Sequence, residues 1–164
     1  MFTVFSYRKD EYMKVRVFFA AILAVMLFTA PSYAAEPESI RIAVIDTGIS
    51  TVAISEKNLD EGCNYILSGA TTEDTVGHGT AVAAIIAGSE AAGITGLYPE
   101  AVLVPLVYYS KNGNDAAVKG DLSMLAQIIR DAVDVYDCRI INISSGARVD
   151  TPDLRDAVAW AEQR

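Results

Sequence analysis

Apolar positions come in alternating kinds of run from residue 40 onward. Ile40 to Ile45 is a short, almost unbroken apolar stretch, the pattern of a strand in a parallel sheet buried on both faces. A weaker strand is expected from Cys63 to Leu67, and a helix, apolar nearly all round, from Gly77 to Ala91. Ala101 to Tyr108 reads as a further strand in which Pro105 is an anomaly, since proline cannot donate to a ladder. Lys111-Asn112-Gly113-Asn114-Asp115 is turn chemistry. Leu122, Leu125, Ile129, Ala132, Val133 and Tyr136 then recur at three- and four-residue steps, predicting an amphipathic helix that starts near Asp121. Arg139 to Ile143 is another buried strand, and Thr151-Pro152 opens a last helix with a capping hydroxyl and proline at the first position. Strand and helix in alternation predict an α/β fold: a doubly wound parallel sheet with helices on both faces.

The first 35 residues have a different logic. Lys14 and Arg16 precede an uncharged run from Val17 to Ala30, Pro31 breaks it, and Ser32-Tyr33-Ala34 is a small-x-small pattern that signal peptidase accepts. The run is shorter than the roughly 20 residues of a spanning helix. A signal peptide over residues 1–35 is therefore expected, with Met13 an alternative start, a mature end at Ala35 or Glu36, and a secreted or periplasmic product. Residues 1–34 carry a net +2; the whole chain is −8, which leaves −10 on the remainder. That acidity argues against nucleic acid or, after cleavage of the signal, membrane as a partner. The two cysteines, Cys63 and Cys138, have no metal-site spacing and read as small buried thiols.

Two residues carry the candidate chemistry. Asp46 follows the first strand in Asp46-Thr47-Gly48, at the carboxyl end where open α/β sheets bind ligands. His78 is the only histidine and opens the next helix between two glycines, which places it at the same end of the sheet. An imidazole that moves protons needs a carboxylate to fix its tautomer, and Asp46 can supply it.

Ile42-Ala43-Val44-Ile45-Asp46-Thr47-Gly48-Ile49 resembles the aspartate motif of the subtilisin-like serine proteases (subtilases, peptidase family S8). Gly77-His78-Gly79-Thr80-Ala81-Val82-Ala83 resembles their histidine motif. Gly93 to Ala101 and Ile141-Asn142-Ile143-Ser144-Ser145-Gly146 are similar to two further segments, in the family's order. The resemblance implies a serine endopeptidase domain over residues 36–164 in which Asp46 orients His78 and His78 acts as base toward a serine. It also implies that Ser144, Ser145 and Gly146, with the turn at Asn112 and Gly113, hold an extended polypeptide substrate. No cofactor is expected, and the segment Ala87 to Ala92, where the family binds calcium, is poor in oxygen ligands. The family's Gly-Thr-Ser motif and oxyanion asparagine do not occur, so the expectation is a C-terminally truncated fold, inactive as it stands. The alternative is a secreted, non-catalytic peptide-binding or interaction module. An aspartic protease reading of Asp46-Thr47-Gly48 gives His78 no role and requires an all-β chain.

Overall fold

The computed structural model describes residues 39–111, 114, 116–146 and 148–164; the expected signal peptide and the turn residues Asn112 and Gly113 lie outside the described residues. Within Ser39–Arg164 the elements are β1 (Arg41–Asp46), β2 (Cys63–Asn64), α1 (His78–Ala87), β3 (Val102–Val107), β4 (Tyr109–Lys111), β5 (Ala117–Lys119), α2 (Leu122–Asp134), β6 (Ile140–Asn142) and α3 (Pro152–Ala161). A 3-10 turn spans Glu56–Asn58.

Four strands form a sheet in the order β2-β3-β1-β6, and every pairing in it is parallel. The alternation of β1 distributes its side chains to two layers. Ile42 and Val44 pack with Leu103, Ile49, Ile54 and the alanines of α1, Ala83, Ala84 and Ala87. Ala43 and Ile45 pack with Val104, Leu106 and the α2 residues Leu125, Ala126, Ile128 and Ile129, with Ala157 of α3 also in this layer. Helices therefore cover both faces, as the doubly wound reading requires. Each fully buried isoleucine or leucine in these layers contributes about 2 kcal/mol through its area removed from water.

Several boundaries differ from the sequence pattern for local reasons. β2 stops at Asn64, three residues early, because Asn64 Oδ1 accepts the amides of Ile66 (3.1 Å) and Leu67 (2.9 Å) and turns the chain out of the sheet. α1 ends at Ala87 and not at Ala91: Leu97 N and Tyr98 N donate to the carbonyls of Ile85 and Ile86, replacing the next helical turn. The buried face of α2 also includes Ala126 and Ile128, while Val133 and Tyr136 are half-buried. Its start is as expected, with the Asp121 carboxylate accepting Met124 N at 2.8 Å, and Thr151 Oγ1 accepts Leu154 N at the start of α3.

Pro105 lies inside β3 without breaking its ladder to β1. Val102 N and Tyr108 N donate to Ile40 O and Asp46 O, so even-numbered amides of β3 face β1. Position 105 faces the other side, where β2 begins only at Cys63, opposite Leu106. On either side of the turn expected at Lys111 to Asp115, the segment after β3 contains a two-stranded antiparallel ribbon that pairs Tyr109 with Lys119 and Lys111 with Ala117.

Candidate active site

Parallel pairing brings the carboxyl ends of β1, β3 and β6 to one edge. Asp46 is level with Val107, and Val44 with Asn142, so Tyr108 and Ser144 emerge on either side of Asp46. α1 begins at the same edge with His78. The result is a cleft of about 310 Å³ lined by Ile45, Asp46, Thr47, Val76, His78, Tyr108, Tyr109, Lys119, Ser144 and Ser145.

The Asp46 carboxylate meets His78 Nδ1 with both oxygens, at 2.8 and 3.0 Å. Its side chain is 5% exposed and that of His78 56%. Oδ1 also accepts Thr47 N at 2.8 Å, which fixes the carboxylate's plane. A carboxylate only accepts, so Nδ1 carries the proton in this contact and the other ring nitrogen is left as the basic one.

The approach of α1 to the turn after β1 depends on a missing side chain. Gly79 N donates to Thr47 Oγ1 at 2.8 Å, and a Cβ at Gly79 would stand 2.2 Å from Gly48 O. Only glycine lets the helix start this close to β1, and that closeness sets the Asp46–His78 distance. Gly77, before it, turns the chain into the helix with φ 102°, a conformation natural to glycine.

Gly77 offers no side chain to cap α1, and Asp74 takes over that role from three residues upstream. Asp74 Oδ1 accepts Val76 N (2.9 Å) and Gly77 N (2.8 Å); Oδ2 accepts Thr80 N (2.9 Å) and Thr80 Oγ1 (2.7 Å). Burial by itself would raise the Asp74 pKa, but the donors from Gly77, Thr80 and Val76 outweigh it and hold the carboxyl below its ordinary value. Thr80 Oγ1 in turn accepts Ser50 N at 3.0 Å, tying the turn after β1 to the helix start. Asp74, Thr47 and Thr80 are the site residues that the sequence pattern did not single out. The signal available for Asp74 was its place six residues before Thr80 in a polar loop, which is too common to be noticed alone.

Of the residues singled out from sequence, Asp46, His78, Ser144 and Ser145 share the cleft. Gly146 is exposed and does not line it. The Ser144 hydroxyl donates to Asn142 Oδ1 at 2.8 Å. In the segment after α1, the Ser89 hydroxyl donates to Ala53 O at 2.7 Å, and Ser89 and Ile94 exchange backbone hydrogen bonds. Among the described residues no group of three or more His, Cys, Asp or Glu side chains could hold a metal ion, and no helix is long and apolar enough to cross a membrane.

Fold and site together define an α/β protein with a buried carboxylate orienting an exposed imidazole at the carboxyl edge of a parallel sheet. The chain belongs to the subtilase family: the model described as Peptidase_S8, subtilase family, matches residues 38–164. It is similar to the thermostable alkaline protease of Halalkalibacterium halodurans, at 34% identity over 119 residues covering 72% of this chain and 31% of that protein. It is also similar to Subtilisin BL of Lederbergia lenta, at 31% identity over 126 residues, 76% of this chain and 44% of the relative. Among solved structures, the S41 psychrophilic protease superposes with a TM-score of 0.61 at 27% identity, over 76% of this chain and 42% of the other. The chain thus spans less than half the length of these relatives.

Proposed function

We propose that this chain forms part of a secreted or periplasmic serine-type endopeptidase, in which Asp46 orients His78 and His78 is the general base toward a serine hydroxyl. The observation that carries this reading is the two-oxygen contact of Asp46 with His78 Nδ1, at 2.8 and 3.0 Å, from a buried carboxylate to an exposed ring. In such an arrangement the free ring nitrogen removes the serine proton as the serine oxygen attacks the peptide carbonyl. The buried carboxylate stabilises the imidazolium that forms, and the same proton then passes to the departing amine. The substrate is a polypeptide laid along Ser144, Ser145 and Gly146 and the turn at Asn112 and Gly113, as the family resemblance implies. Export is supported by the charged, apolar and small-x-small pattern ending at Ala34.

Among the described residues no serine hydroxyl is hydrogen-bonded to His78: the Ser144 hydroxyl donates to Asn142, and the His78 contacts are those of Nδ1 with Asp46. Residues 39–164 by themselves are therefore proposed to orient the base without cleaving peptides.

Because His78 is the only histidine, its ring can be observed without assignment. Nitrogen-detected NMR at about pH 8.5, where an ordinary histidine is neutral, should show Nδ1 protonated and Nε2 bare. Asp46→Asn can present its amide N–H to Nδ1, so the proton should move to Nε2. An Nε2–H tautomer in the wild type, or the same tautomer in both proteins, would remove the base from the mechanism.

A further inference from the structure

Among the described residues the Asp46–His78 cleft has one lysine or arginine, Lys119, and nothing in the proton relay uses it. The only acidic residue among the described lining residues, Asp46, is 5% exposed and turned toward His78. The cleft therefore presents a positive charge that its own carboxylate does not offset at the surface. Among the described residues no carboxylate stands within ion-pair distance of Lys119.

Its position is set by structure. Lys119 pairs with Tyr109 in the antiparallel ribbon, and the next residue, Gly120, donates its amide to Tyr108 O at 3.0 Å. The Lys119 ammonium lies 5.5 Å from the centre of the Tyr108 ring. That ring is itself fixed: Tyr108 is 2% exposed and its hydroxyl donates to Asp121 O at 3.0 Å. A ring face under the ammonium confines the charge and leaves its donors to the open side. Beside it, half-buried Val76 and Tyr109 give the cleft an apolar wall.

We infer that Lys119 is a specificity-determining residue of this cleft: it selects polypeptides that carry a glutamate or aspartate next to an apolar side chain, the apolar group against Val76 and Tyr109 and the carboxylate at the Lys119 ammonium. This rests on the reading of the cleft as a peptide site. The chain's overall acidity disfavours acidic ligands in general, so a preference of this sign has to arise locally at Lys119.

The test is binding, followed by the His78 ring signals of the 164-residue chain. The probes are acetyl-Glu-Phe-Glu amide and its isosteric neutral counterpart, acetyl-Gln-Phe-Gln amide. The acidic peptide should bind about threefold more tightly, the size of one solvent-exposed charge pair. Lys119→Met keeps the stem and should bind both peptides equally; Lys119→Arg should keep the preference, which separates loss of charge from damage to the ribbon. If both peptides move His78 with equal affinity in the wild type, or if Lys119→Met keeps the preference, the role of Lys119 is overturned and the peptide cleft stands. If neither peptide moves His78, the peptide cleft itself is overturned, and Lys119 with it.

Discussion

Replacing Asp74 by alanine should loosen the start of α1 and thereby the residue that opens it, His78. The native carboxylate accepts four donors: the amides of Val76, Gly77 and Thr80 and the Thr80 hydroxyl. A lost helix cap costs about 1 kcal/mol, and hydrogen bonds to a charged acceptor are stronger than neutral ones. The bond from Gly77 is at the surface, where water can replace it, and Asp74 is only partly buried, so solvent screening reduces what the four bonds add to the cap. Together these give about 2 kcal/mol. For a unit the size of Ser39–Arg164 this corresponds to a fall in Tm of about 7 °C. Asp74→Asn keeps an acceptor oxygen and should lose about half as much. The pH dependence follows from the lowered pKa. A carboxyl whose folded pKa lies below its ordinary 3.8 stabilises the fold above that pH, and the contribution disappears as pH falls through the folded value. Thermal melts followed by circular dichroism should therefore show the full gap between wild type and Asp74→Ala at pH 5 and above, closing below about pH 3.8. Equal melting temperatures at neutral pH, or a gap that persists unchanged in strong acid, would show that Asp74 does not cap this helix.

Two other measurements probe the sheet. Burial pushes the Cys138 thiol up to about 11, so at pH 8 it stays protonated, and a thiol reagent should modify half-buried Cys63 first and Cys138 only on unfolding; prompt modification of both would contradict the packing around Cys138. Among the described residues β6 is bonded to β1 alone, and because Arg139 N donates to Arg41 O, alternation points the amides of Ile140 and Asn142 away from β1. Hydrogen exchange in the 164-residue chain should be fast at Ile140 and Asn142 and slow from Ala43 to Ile45, whereas equal protection would mean that another strand covers this edge.

The strand cores, the helix start near Asp121, the helix cap at Thr151, and the Asp46 and His78 motifs could be read from residue order, because each depends on neighbours within a few positions. Apolar alternation, capping chemistry and a carboxylate at a strand end are local signals. What they leave open is set by contacts across the chain. Pro105 looked wrong for a strand until the sheet order placed its missing N–H on the side where β2 has not yet begun. β2 looked longer than two residues because the apolar run to Leu67 says nothing of Asn64 turning the backbone away. The strands that flank the expected turn at Lys111 to Asp115 went unseen, since three-residue strands carry too little periodicity, yet it is this ribbon that holds Lys119 at the cleft. Asp74 was one acid in a polar loop, and only the fold brings it beneath the amides of α1. Sequence alone thus determined which residues could carry a proton relay, because that is a matter of side-chain chemistry. The tertiary structure decided how close they stand and what surrounds them, because the 2.2 Å a Cβ would leave between Gly79 and Gly48 O, and the register of three parallel strands, exist only once distant segments have packed.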